Sequence, residues 1–278
     1  MHNHTVTVEN ITLNVVEAGT GEPVLLLHGW PTCAHLWRHI LPPLSKRYRA
    51  IAPDLPGFGY SDKPLDVSYS FRYYDRVLEG LVEELGVSQV HLVVHDLGGP
   101  VGLYWATQHP ERIRSLTILN TTVYPMESWA VRLFFLGLRL PGVSSMLTSQ
   151  WGLTKAMHMG LSFRKERLTA EELEPYLSPF RDRASRTALL KTALKLSPKA
   201  FPGIVEGLQK MDCPIRILYA EKDRILPAVA REMKRLHTLI PHSQMSSIPG
   251  TGHFLQEDNP EPLIEELLEF LDGQSRAS

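Results

Sequence analysis

The chain has 278 residues, 43% hydrophobic and 21% charged, with a formal net charge of −1. That size and balance fit one large α/β domain carrying an inserted subdomain, with a core big enough for a stable globule. The near-neutral charge, without a long basic run, argues against a partner held by phosphate neutralisation, so no nucleic-acid partner is expected. Cys33 and Cys213 are the two cysteines. They suggest no disulfide framework, and neither has the close neighbours of a metal or redox motif. The opening Met1-His2-Asn3-His4 lacks the basic and apolar regions of a secretory leader, and no apolar stretch reaches the roughly 18 residues of a membrane span. A cytoplasmic protein with no membrane partner is the expectation.

Residues 5–9 and 12–16 alternate small, polar and β-branched side chains around Asn10, which predicts an antiparallel pair of strands. Residues 23–28 differ. Their core, Val24-Leu25-Leu26-Leu27, is apolar throughout, as in a strand buried on both faces of a parallel sheet. The same reading fits residues 48–52, 90–94, 116–119 and 215–219, and amphipathic helices are predicted over 74–85, 99–108, 227–239 and 260–271. Strand and helix in alternation imply a doubly wound, mostly parallel sheet with right-handed crossovers.

Between Leu119 and Cys213 the alternation stops, giving way to helical sequence rich in aromatic and sulfur side chains such as Trp129, Phe134, Phe135, Trp151, Met157 and Phe163. Pro125, Pro141-Gly142, Pro175, Pro179, Pro198 and Pro202-Gly203 cut it into short pieces. This segment reads as a helical cap over residues 122–211, inserted in a core made of residues 1–121 and 212–278. Thr169-Ala170-Glu171-Glu172 has the form of a capping box, and residues 273–278 read as a frayed tail.

The chemistry concentrates at predicted strand ends. His95-Asp96-Leu97-Gly98-Gly99 follows the apolar run Val90-His91-Leu92-Val93-Val94, the form of a tight strand-turn-helix elbow with a nucleophile at its apex. The apex residue is Asp96. A serine attacking a saturated carbon gives an ether that resists water, whereas a carboxylate gives an ester that water can cleave. The natural targets are therefore electrophilic sp3 carbons. In Gly250-Thr251-Gly252-His253-Phe254, after the strand-like residues 244–248, His253 is placed to deprotonate the water that attacks this ester. In Tyr219-Ala220-Glu221-Lys222-Asp223, Asp223 is expected to orient His253, with Glu221 as the nearby competitor. The order nucleophile, acid, histidine is that of α/β-hydrolase triads. Backbone amides of Trp30, in His28-Gly29-Trp30-Pro31, and of Leu97 are the expected oxyanion hole.

With these residues in place, the chain resembles the α/β-hydrolase superfamily over nearly its full length, in the branch of epoxide hydrolases and haloalkane dehalogenases. The motifs are His28-Gly29-Trp30-Pro31-Thr32, Asp54-Leu55-Pro56-Gly57-Phe58-Gly59-Tyr60-Ser61-Asp62, the elbow at Asp96, Asp223 and Gly252-His253. Val94 stands where serine members carry glycine, as in the aspartate branch. The resemblance implies an α/β-hydrolase fold with a helical cap, no cofactor and no metal. Dehalogenases of the branch place a tryptophan after the nucleophile and, as second halide donor, an asparagine after His-Gly or a cap tryptophan; this chain has Leu97 after the nucleophile and Trp30 after His-Gly. Epoxide hydrolases use cap tyrosines to protonate the opening ring, for which Tyr176 and Tyr124 are the candidates. Residues 176–180 resemble the dehalogenase cap, and Asn120 stands where some dehalogenases carry their triad acid. The leading expectation is an enzyme that opens a lipophilic epoxide to a vicinal diol through an ester on Asp96. Haloalkane dehalogenase, another hydrolase or lyase acting on a lactone-type substrate, and a cap-gated receptor remain as alternatives. The partner is a small apolar substrate, and monomer or homodimer stays open.

Overall fold

The apolar segments fold as the centre of one sheet in a computed structural model that describes residues 1–124, 128–164 and 166–275. Pro125 and residues 276–278 of the expected tail lie outside the described residues. The strands are β1 (His2–Val8), β2 (Ile11–Ala18), β3 (Glu22–Leu27), β4 (Tyr48–Pro53), β5 (Val90–His95), β6 (Ile113–Leu119), β7 (Ile215–Ala220) and β8 (Gln244–Ile248). They lie in the order β1-β2-β4-β3-β5-β6-β7-β8. β1 and β2 form the predicted antiparallel hairpin, and β2 pairs antiparallel with β4; every later pairing is parallel. Every residue of β5 is buried, as its unbroken apolarity requires at the middle of a sheet covered on both faces.

Twelve α-helices are described. They are α1 (Leu41–Leu44), α2 (Phe71–Glu84), α3 (Gly98–Gln108), α4 (Trp129–Arg139), α5 (Pro141–Leu147), α6 (Gln150–Gly160), α7 (Ala170–Leu177), α8 (Arg183–Leu194), α9 (Phe201–Gln209), α10 (Val229–Leu239), α11 (Leu255–Asp258) and α12 (Pro260–Ser275). α2 begins one turn earlier than its periodicity predicts, because the Ser70 hydroxyl accepts from the Tyr73 amide and caps it. One face of the sheet packs with Phe71, Tyr74, Leu78, Trp105, Val229 and Met233, and the other with Trp37, Leu44, Leu263, Leu267 and Leu271.

Helices α4 to α9 are inserted between β6 and β7. The capping box of α7 forms as the sequence indicates, Thr169 and Glu172 bonding each other's backbone. Within the inserted segment, α9 packs directly on the core. α9 lies against α3 of the core so closely that a Cβ on Gly207 would stand 2.6 Å from the Thr107 side chain. A third apolar cluster, containing Cys33, Leu36, Met157, Leu173, Tyr176 and Phe254, joins α6 and α7 to the core. Loops after β3, β5, β7 and β8 open at the same carboxyl end of the sheet, beneath these helices, where α/β proteins place their sites.

Candidate active site

Asp96 stands at the apex of the turn between β5 and α3 with a φ of 48°, a left-handed conformation that a side chain adopts only when its surroundings enforce it. Close packing supplies the enforcement. A Cβ on Gly98 would lie 2.2 Å from the His28 carbonyl, and one on Gly99 would run into Thr121. The Thr121 hydroxyl donates to the Asp96 carbonyl at 2.7 Å. Glycine at position 29 leaves the space that the Asp96 carboxylate occupies, since a Cβ there would sit 2.3 Å from Oδ1. The registers Leu27↔Val94 and Leu119↔His95 explain why the turns after β3 and β6 meet at Asp96, the first at its carboxylate and the second at its carbonyl.

Both expected oxyanion donors face Asp96. The Trp30 amide donates to Oδ1 at 2.6 Å, and the Leu97 amide helps to hold the same carboxyl below its usual range. The turn carrying Trp30 is held by buried groups. The Leu55 amide donates to His28 Nε2, so His28 is the tautomer with its proton on Nδ1, which donates to the Gly29 carbonyl. Asp54, from the second glycine-rich motif, accepts from the amides of Ala34 and Tyr60 and from the Asn14 side chain. That motif is scaffold: it ties the loops after β3 and β4 together.

His253 Nε2 lies 3.3 Å from Asp96 Oδ2, and its Nδ1 donates to Asp223 Oδ2 at 2.7 Å. Asp223 is itself fixed, its Oδ1 accepting from the amides of Ile225 and Leu226 at 2.8 and 2.7 Å. Glu221, the competitor, instead accepts from the Gly250 amide and braces the turn before His253. Burial works against a charged imidazole, but the Asp223 carboxylate and then Asp96 outweigh it and push His253 up to about 10. For Asp96, burial works against the anion, yet the bond and charge of His253 hold the carboxyl below its usual range. Asp96 keeps 15% side-chain exposure while His253 keeps 1%, so the carboxylate is the member open to a ligand.

The first of the two candidate tyrosines is tied to other side chains. Tyr176 is 1% exposed, and its hydroxyl donates to Glu257 while accepting from Arg38. Burial and the Glu257 charge push this phenol well above its ordinary value, the opposite of what a proton donor to a ring oxygen needs. Tyr124 lies with its ring 4.1 Å beneath the Arg235 guanidinium. Trp30 also differs from a halide donor: its indole N–H is directed at the Leu189 carbonyl of α8 at 3.4 Å, and its ring packs edge-on against Phe134.

A model of the alpha/beta hydrolase fold matches residues 22–260. The chain belongs to the α/β-hydrolase family. Among relatives of this α/β-hydrolase, a cis-3-alkyl-4-alkyloxetan-2-one decarboxylase of Shewanella oneidensis is 28% identical over 280 residues, spanning 93% of this chain and 85% of that one. A haloalkane dehalogenase of Mesorhizobium japonicum is 30% identical over 277 residues, 94% of this chain and 88% of its own. The crystal structure of a haloalkane dehalogenase from Bradyrhizobium elkani superposes with a TM-score of 0.87 at 28% identity, covering 100% of this chain and 99% of that one. This α/β-hydrolase is therefore an enzyme of the dehalogenase and epoxide hydrolase branch, a hydrolase on that scaffold.

Residues that the motifs did not single out complete the site of this α/β-hydrolase. Asn120 is no acid, but its Nδ2 donates to the carbonyls of Gly252 and His253 while its Oδ1 accepts from the Ala220 amide, so it locks the histidine loop to β6 and β7. The neutral ring of His95, held down to about 4 by burial and by the neighbouring His253, donates Nε2–H to the His253 carbonyl. Glu257 and Asp258 fasten the inserted helices to the same loop. Glu257 is fully buried and paired with Arg38, and Asp258 accepts from the amides of Gly252, Ser162, Phe163 and Arg164. Flanked by Gln256 and Asn259, the adjacent acids Glu257-Asp258 are not marked out by the local sequence.

Proposed function

We propose that this enzyme opens small-ring lactones of the alkyl-oxetan-2-one class through an ester on Asp96, which water activated by His253 then hydrolyses. The carrying observation is what accompanies the nucleophile on its leaving-group side. Leu97 brings no side-chain N–H, the Trp30 indole is engaged with Leu189, and the Tyr176 hydroxyl is engaged with Glu257. A departing halide needs N–H donors, and an epoxide oxygen needs a proton. A lactone ring oxygen needs neither when the adjacent sp3 carbon is attacked, because it departs as a carboxylate, the anion of an acid of pKa about 4. The Shewanella relative, named for an oxetan-2-one, supports this substrate class.

In the first step an Asp96 oxygen bonds the sp3 ring carbon, the ring C–O bond breaks, and its electron pair leaves on the new substrate carboxylate. Asp96 becomes a neutral ester. One of the two anions that keep His253 protonated is thereby lost, so His253 releases its proton to solvent and becomes available as a base. It then deprotonates water, and the oxyanion formed on the ester is met by the amides of Trp30 and Leu97. On collapse the departing alkoxide takes the proton that His253 drew from water, the Asp96 carboxyl passes its own proton to His253, and the hydroxy acid is freed with the Asp96 carboxylate restored. An imidazole backed by Asp223 supplies activated water, which favours this hydrolytic outcome over loss of CO2.

Haloalkane dehalogenation is the second reading. It is favoured by the dehalogenase relatives and by the Trp30 indole, whose 3.4 Å bond is long for N–H···O and is given up at low cost. The test incubates His253→Gln protein separately with a cis-dialkyl oxetanone, bromobutane and styrene oxide, followed by mass spectrometry of the peptide holding Asp96. The lactone adduct is expected. A bromobutane adduct without a lactone adduct establishes the second reading, and a styrene oxide adduct alone restores the epoxide. No adduct from any of the three overturns covalent catalysis by Asp96.

A further inference from the structure

Exposed large apolar side chains are not spread over this molecule. Of the eleven among the described residues, eight fall between residues 129 and 163, and the other three are Met1, Tyr60 and Leu65. On α4, Trp129, Leu133 and Leu136 recur at the spacing of a single helix face, with Trp129 71% and Leu133 59% exposed, and the exposed Leu140 follows at its end. The opposite face of the same helix buries Val131 and Leu138 and sets Phe134 against Trp30 of the oxyanion turn. α4 is thus apolar on both sides, one toward the site and one toward solvent. α6 repeats the pattern with Trp151 and Met159 exposed and Lys155 between them, its ammonium 5.7 Å from the Trp151 ring. A soluble monomer rarely concentrates apolar surface this way without an occupant.

Charge identifies the occupant. From Trp129 to Phe163 the sequence holds no acidic residue, while Arg132, Arg139 and Lys155 are exposed around the apolar stripes. The chain as a whole carries −1. A symmetric pairing of two copies through this face would set the same arginines against themselves, a repulsive arrangement. An anionic lipid surface accepts both features: headgroups meet the basic side chains, and the acyl boundary takes the tryptophans and leucines. The mode is lying on the membrane, since no described helix is long and apolar enough to cross one, and the α4–α5 pair is bent by 109°.

We propose that α4 and α6 dock this enzyme on anionic phospholipid surfaces, holding the cap side of the site against the layer in which apolar substrates dissolve. Docking does not depend on which electrophile Asp96 opens. It also differs from the absence of a span, on which the expectation of no membrane partner rests. The test is flotation with vesicles of phosphatidylcholine containing about 30% phosphatidylglycerol, against vesicles of phosphatidylcholine alone. Binding at least about tenfold tighter to the anionic vesicles is expected, weakened by added salt. The pair Leu133→Ser with Leu136→Ser should lower partitioning about tenfold or more, and Arg132→Glu with Arg139→Glu should abolish the anionic preference, each with unchanged circular dichroism. Failure of the parent protein to float, or equal flotation of both double variants, overturns the proposal. So does a dimer in sedimentation velocity that the leucine pair dissociates, which would give the face to a second copy.

Discussion

The core half and the cap half of this site are built on different terms. On the core side Asp96, Asp223 and His253 stand on loops directly after β5, β7 and β8, and each is held by backbone bonds that leave it one orientation. On the cap side the polar groups near the interface are spent on attachment: Tyr176 and Arg38 on Glu257, and four amides on Asp258. The difference teaches that chemistry placed at strand ends is inherited from the sheet, whereas a cap helix can turn a tyrosine to scaffold duty with no change of motif.

The strongest way to break this contrast is at the core. Asp96→Asn should abolish steady turnover, with a loss of at least about 10^4-fold, because the amide cannot form the ester; steady-state rates with the folded variant check this. Asp223→Asn should cost on the order of 10^3-fold in hydrolysis of the intermediate while sparing its formation, which single-turnover mass spectrometry separates. A triad that is only structural would slow both steps alike.

The cap side predicts stability effects instead. Glu257→Ala removes the buried partner of Arg38 and should destabilise the fold by about 3 kcal/mol, read as a shift in the urea midpoint. The pH dependence is carried by His253, whose native value of about 10 lies above its ordinary 6.5. Its stabilisation is fully present below about pH 6.5 and is lost as pH rises through about 10, because over that window the native state holds one more proton than the unfolded chain. Chemical denaturation between those limits should show stability falling with pH, and Asp223→Asn should flatten the slope. The smallest expected effect is Tyr176→Phe, about 1 kcal/mol of stability with no selective loss of epoxide opening. Selective loss of ring opening in that variant would return Tyr176 to chemistry and erase the contrast.

Legibility in the sequence follows the same division. The strands of residues 24–27 and 90–94 are readable because burial on both sheet faces demands unbroken apolarity, and the elbow is readable because only glycine fits where Gly98 and Gly99 meet His28 and Thr121. Asp223 and Glu221 are harder to tell apart, two residues from each other on one loop, until Ile225 and Leu226 are seen to donate to the first and Gly250 to the second. Asn120, Glu257 and Asp258 carry no periodic or spacing signal of their function, since their partners lie elsewhere in the chain, more than 90 residues away for most of their bonds.

By itself, the sequence determined the alternating sheet, the inserted helices and the three side chains, Asp96, Asp223 and His253, that come together at the strand ends, because local pattern and strand-end position are written in consecutive residues. Only the tertiary structure decided where Tyr176, Tyr124 and the Trp30 indole point, that α9 packs with the core, and that one face of α4 is left to solvent. Those outcomes depend on which distant groups compete for the same donor or the same apolar surface, and that competition exists only once the chain has folded.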